Sequence, residues 1–140
     1  MPELDPGFDR RQLLKTEPPT KQQIWRIYVL LQNYSKIPVN EIEPHIVAIR
    51  NKAFDIFPYV CIGRWGFLKL SIAELSYYNE ILAATKAGAV LLDCGCCFGQ
   101  NLRQLAYNNV PQKNLIGLDL RQEFIDLGYE SFRDNRNGKE

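Results

Sequence analysis

Histidine is nearly absent from this chain: His45 is the only one in 140 residues. Cysteine is sparse and poorly spread for metal binding. Of the four, Cys94, Cys96 and Cys97 crowd a single turn, and Cys61 stands apart with no second ligand pair. A zinc site needs about four ligands at wider spacing, so no metal is expected, and the thiols read as small buried or turn-lining groups. Neither sign of charge dominates. Seventeen basic and sixteen acidic residues leave a formal charge of +1, which gives no broad pull toward nucleic acid or anionic lipid. The pair Arg10-Arg11 is too short for a nucleic-acid footprint. Long apolar runs are missing too: Ala89 to Leu92 falls far short of a membrane span. The opening Met1-Pro2-Glu3-Leu4-Asp5 has neither a basic nor an apolar signal region, so a cytoplasmic location with reduced thiols is expected. No internal repeat or low-complexity tract stands out.

What remains is the composition of an ordinary globular protein, 46% apolar and 24% charged. A complete domain of this length buries roughly two thirds of its unfolded surface. Residues 1–20 hold four of the eight prolines and read as a flexible N-terminal arm. Thr20 is placed to cap a helix over 22–32, where Ile24, Ile27, Tyr28, Leu30 and Leu31 recur at helical spacing. Asn40 is a candidate cap for a second helix over 41–57, with Ile42, Ile46, Ile49, Ala53 and Ile56 on one face and Pro44 in its first turn. Pro58 closes that helix. The aromatic, glycine-punctuated run 59–68 reads as loop with short extended pieces. A third helix is predicted over 76–86, stopped by Gly88 at C′. Residues 21–88 thus form a helical lead-in.

From residue 89 the pattern changes. Ala89-Val90-Leu91-Leu92-Asp93 and Leu115-Ile116-Gly117-Leu118-Asp119 read as buried strands, each followed by a helix, over 101–107 and 122–132. The polar tail 134–140 is expected to fray. Strands alternating with helices imply a parallel sheet with right-handed crossovers, so the class is α/β.

The chemistry concentrates at the first strand's end. Gly95 and Gly99 let the backbone turn sharply and approach a ligand closely. The helix that follows aims free N–H groups at the same spot, which suits an anionic group. Asp93 and Asp119 sit at the strand ends where open α/β sheets bind ligands, and Asp119 is spaced to accept both hydroxyls of a ribose. The dinucleotide pattern needs a glycine where Cys97 stands, and Asp93 would sit badly beside a diphosphate. An NAD-binding oxidoreductase fragment is therefore disfavoured. Asp93 suits an ammonium group, and a ligand with both an amino-acid head and an adenosine ribose satisfies both acids. S-adenosylmethionine is such a molecule.

The runs Phe57-Pro58-Tyr59-Val60-Cys61-Ile62-Gly63-Arg64, Leu92-Asp93-Cys94-Gly95-Cys96-Cys97-Phe98-Gly99-Gln100 and 117–129 resemble fungal class I methyltransferases of polyketide and meroterpenoid biosynthesis. The resemblance covers roughly residues 40–133, and the Cys-Cys-Phe-Gly-Gln turn is its most specific part. It implies N-terminal helices followed by the first βαβα part of a Rossmann-like sheet. It also implies S-adenosylmethionine held over the first two strand ends, with residues 89–140 a partial cofactor-binding domain. Asp93 would approach the methionine ammonium, and Gly95, Cys97, Phe98 and Gly99 would line the methionyl moiety. Asp119 would hold the ribose, and Leu120 and Arg121 would border the adenine.

The implied substrate is a small molecule, a polyketide or meroterpenoid acid or phenol, methylated on oxygen; no residue is assigned as catalytic base. The chain ends about twenty residues after Asp119, so the expectation is an incomplete sheet, unstable and inactive alone, with a homodimer or a complementing chain to cover its edges. The alternative is a non-catalytic remnant or interaction subunit. Trp25, Trp65, Phe67, Tyr77 and Tyr78 read as core or interface before substrate wall. Arg64 reads as a surface ion pair before a carboxylate site, His45 as structural, and Cys61 as an inert buried thiol.

Overall fold

Thr20 opens the helical region with a reciprocal pair of bonds. The Gln23 amide donates to Thr20 Oγ1, and the Thr20 amide donates to Gln23 Oε1 at 2.8 Å. This capping box satisfies two otherwise orphaned donors. After one turn the chain enters helix α1, Trp25–Asn33, which buries Ile27, Tyr28, Leu30 and Leu31. The structure, a computed structural model, describes residues 7–14 and 17–134. The expectations placed on residues 1–6 and on the tail 135–140 lie outside the described residues. Within the arm, Arg10–Leu13 forms a single 3-10 turn capped by Asp9, and Leu13 and Leu14 pack against the core.

Helix α2, Val39–Ile56, starts two residues earlier than predicted, and its cap is Pro38 rather than Asn40. Pro38 supplies an extended backbone (ψ 140°) and a carbonyl that accepts the Glu41 amide, so no side-chain cap is needed. Pro44 therefore falls in the second turn, where the bond to Asn40 is lost. Both residues are exposed, so water takes the carbonyl. The predicted apolar face holds: Ile42, Ile46, Ile49 and Ala53 are buried.

Residues 59–68 are not extended. They form a short helical turn, α3 (Val60–Gly63), and a 3-10 turn, Gly66–Leu68. Aromatic and glycine content suggested a loop with short extended pieces. Here a one-sided core rewards three-residue spacing, and Ile62, Trp65 and Leu68 are all buried. Ser71–Glu74 forms a further 3-10 turn, and α4 runs Tyr78–Lys86. Gly88 ends α4 as predicted: its amide bonds the Thr85 carbonyl and the Ala89 amide bonds the Ala84 carbonyl, the double bond of a Schellman stop.

Strand β1, Leu91–Cys94, and strand β2, Leu115–Leu118, form a parallel pair in the register Leu91↔Leu115 to Cys94↔Leu118. They are linked by α5, Gln100–Tyr107, and β2 is followed by α6, Gln122–Phe132. The strands were expected to be buried, but they are half-buried on one face and exposed on the other. Val90, Leu92, Ile116 and Leu118 are 45–59% exposed on the other. The reason is the placement of the helices. The main core lies between α1, α2 and the 62–70 segment on one side and Phe98, Phe124, Leu127 and Phe132 on the other. No element among the described residues covers the second sheet face. No described helix is long and apolar enough to cross a membrane.

Candidate functional site

Asp93 closes β1 in register with Gly117 of β2, one residue before each strand ends. The chain then enters the turn 95–99. Its geometry rests on three left-handed residues: Gly95 (φ 76°), Cys97 (φ 52°) and Gly99 (φ 68°). The Gly95 and Cys96 amides both bond the Leu118 carbonyl, and the Gly99 amide bonds the Cys96 carbonyl at 2.7 Å. These bonds fold the turn over the β2 end.

Asp119, just past β2, joins the two crossovers. One carboxylate oxygen accepts the Cys97 amide at 2.9 Å, and the other accepts the Arg121 amide at 3.0 Å. Asp119 is thus bonded to the glycine turn itself, and each oxygen keeps a second lone pair for another donor. Asp93 contrasts with it. Its side chain has no hydrogen-bond or ion-pair partner among the described residues. Burial, and secondarily the nearby Asp119 charge, push its pKa above the usual carboxylate range. An unneutralised, half-buried carboxylate of this kind favours a cation.

The remaining predicted residues divide. A side chain at Gly95 would point into open space, whereas one at Gly99 would meet Arg103 Nη1 at 2.7 Å. Leu120 is 99% exposed beside the crevice. Arg121 lies with its guanidinium 3.9 Å from the Phe57 ring centroid, a stacking that draws the Phe57-Pro58-Tyr59 run to the site. Phe98 was expected to line the cofactor, and its side chain lies in the core. Its ring is 2% exposed and packs edge-on against Phe67 and Phe124, so only its backbone reaches the turn. Burial pushes the Cys96 thiol to about 11 and the Cys97 thiol to about 12, which keeps both protonated and unreactive.

Among the other candidates, Trp65 and Phe67 are core, while Trp25 and Tyr77 are exposed. Tyr78 donates its hydroxyl to Asn108. His45 Nε2 lies 2.7 Å from the Ser131 carbonyl and ties α2 to α6, while Arg64 is exposed, and so is Cys61, which was expected to be buried.

Two groups of residues escaped the sequence reading. A cavity of about 260 Å³ beside Asp93 is lined by Ser71, Ile72, Leu75, Leu91, Leu92 and Asn101. Asn101 closes it by accepting the Ile72 amide and donating to Ser71 Oγ. No motif marks Ser71 or Ile72, because only tertiary packing brings them to β1. The second group, centred on Arg103, holds the turn from behind.

Residues 22–68 match the meroterpenoid methyltransferase N-terminal domain. Over 128 residues the chain is 48% identical to the methyltransferase trt5 of Aspergillus terreus, covering 91% of this chain and 45% of that protein. The chain is a relative of the fungal secondary-metabolite methyltransferases. Among these methyltransferases, ausD of Penicillium brasilianum is 45% identical over 131 residues, covering 94% of this chain and 46% of its own length. The Asnovolin E/Chermesin D methyltransferase nvfJ of Aspergillus novofumigatus is 51% identical over 105 residues, 75% of this chain and 38% of that protein. The chain therefore spans less than half the length of the methyltransferases it matches. No solved structure is a significant match.

Proposed function

We propose that this chain carries the S-adenosylmethionine-binding part of a class I methyltransferase of fungal secondary metabolism, acting on an oxygen of a polyketide- or terpenoid-derived small molecule. In this reading residues 21–88 are a helical lead-in and residues 89–140 a partial Rossmann-like cofactor domain. The observation that carries it is the pair of strand-end carboxylates on one crevice, one bonded to the glycine turn and one left without a counter-charge.

The residues present fit the cofactor. Asp93 offers its unneutralised charge to the ammonium, and Gly95 leaves open space at the mouth of the turn. Asp119 keeps lone pairs for ribose hydroxyls while anchoring the Cys97 amide. Leu120 and the Phe57-stacked Arg121 supply an apolar and a flat cationic surface for a purine. S-adenosylmethionine supplies an activated methyl group, and the chain's own contribution is to hold it in line for attack. The interaction-subunit reading draws on a different observation, the uncovered apolar face of the sheet.

Calorimetric titration tests the cofactor assignment. S-adenosylmethionine should bind and NAD should not, and Asp93→Asn should weaken binding by about tenfold or more, the worth of one charge-assisted hydrogen bond. Equal affinity of wild type and Asp93→Asn, or preference for NAD, would overturn the reading. Methyl transfer from labelled cofactor to a phenolic or carboxylic acceptor by the purified chain separates enzyme from interaction subunit.

A further inference from the structure

We infer that Arg103 is a positioning residue for the cofactor turn, holding the Phe98–Gly99 peptide from the side opposite the crevice; the functional part of this inference rests on the cofactor reading above. Arg103 lies on the first turn of α5, and all three nitrogens of its fork donate hydrogen bonds. Nε and Nη2 donate to the two carboxylate oxygens of Asp134 at 2.7 and 2.9 Å. Nη1 donates to the Phe98 carbonyl at 2.6 Å and, more weakly, to the Gly99 carbonyl at 3.4 Å. The guanidinium also lies over the Phe132 and Tyr129 rings of α6. Asp134 is itself fixed, because the Tyr34 hydroxyl donates to it at 2.8 Å. It reaches Arg103 because Arg133, left-handed at φ 51°, turns the chain back at the end of α6.

A peptide group is planar, and its C=O and N–H point in opposite directions. In the Phe98–Gly99 peptide the carbonyl is held by Arg103, and the N–H closes the glycine turn on the Cys96 carbonyl at 2.7 Å. Rotating that plane breaks both bonds at once. The orientation that seals the turn is therefore the one that Arg103 selects. Gly99 belongs to the same device. A side chain there would collide with Arg103 Nη1 at 2.7 Å, so this glycine makes room for the arginine, whereas Gly95 makes room on the crevice side.

The fork does two jobs that a single ammonium cannot combine. Arg103→Lys and Arg103→Gln should both fold, yet bind S-adenosylmethionine about tenfold or more weakly, since small misplacements of a binding site carry penalties of that order. Asp134→Asn, which keeps the arginine but loosens its anchor, should give a smaller loss in the same direction. Amide NMR supplies a readout that loss of stability alone would not move. In Arg103→Lys the resonances of Gly99 and Gln100 should shift, while those of α1 and α2 stay in place. Wild-type affinity in Arg103→Lys, or shifts confined to α6 with the turn unmoved, would overturn the proposal. If wild type itself fails to bind the cofactor, the functional reading falls, and the amide shifts alone decide whether Arg103 sets the turn.

Discussion

At the scale of single residues, Asp93 is where function and stability oppose each other. Its pKa is raised in the folded chain, chiefly by burial. A carboxyl raised on folding favours the folded state below its unfolded pKa, and that contribution is lost as pH rises through the folded value. At neutral pH the ionised group therefore costs stability. Asp93→Asn should melt higher than wild type at pH 7, with the difference closing toward pH 3; a lower melting temperature at pH 7 would contradict this. The same charge binds the proposed ammonium, so cofactor affinity should fall by about tenfold per pH unit once Asp93 protonates, starting above the ordinary carboxylate range. In Asp93→Asn calorimetry should find no such slope.

Among the elements, α6 decides where the turn sits. A Cβ at Gly128 would lie 2.4 Å from the Phe98 carbonyl oxygen and 3.0 Å from its carbon. Helix propensity alone would favour alanine by about 1 kcal/mol. The obstacle is backbone held by Arg103, not the tip of a mobile side chain, and overpacking of this kind costs up to about 3 kcal/mol. Gly128→Ala should therefore destabilise by about 2 kcal/mol in urea titration, and a neutral or stabilising result would show that α6 shifts freely. Sequence pattern conveyed much at this scale. The strand–turn–helix order, the Gly88 stop and the apolar face of α2 were all legible, because each is local periodicity or turn chemistry. The helical form of 59–68 was not, because its spacing pays only against a core supplied by distant residues. The burial of the Phe98 ring was hidden for the same reason: its neighbours in sequence belong to the turn, while its ring belongs to the core. Arg103 and Asn101 carried no signal because their partners, Asp134, Ser71 and Ile72, lie about thirty residues away.

For the whole molecule, the sheet is the part left uncovered among the described residues. β1 and β2 carry apolar residues on both faces, the pattern of a parallel sheet covered on both sides. Only one face is covered among the described residues, and Val90, Leu92, Ile116 and Leu118 stand out on the other. An exposed patch of this kind binds apolar dyes and promotes association. The triple change Leu92→Thr, Ile116→Thr, Leu118→Thr should reduce anilinonaphthalene sulfonate fluorescence severalfold, with far-UV circular dichroism unchanged. Undiminished fluorescence would place the dye-binding surface elsewhere.

The Tyr34–Asp134 hydrogen bond joins residues one hundred positions apart. Closing a loop of that length carries an entropic cost that must be met before the contact returns anything, and contacts of such separation slow folding. Helices α1 and α2 can form early from local bonds, and so can the β1–α5–β2 unit. The Arg103 fork draws its own partners from residues 98–134, and Tyr34 at the end of α1 adds a bond to the Asp134 that anchors it. Docking of α1 therefore adds a bond to the Asp134 anchor of the Arg103 fork, and through that fork it bears on the glycine turn.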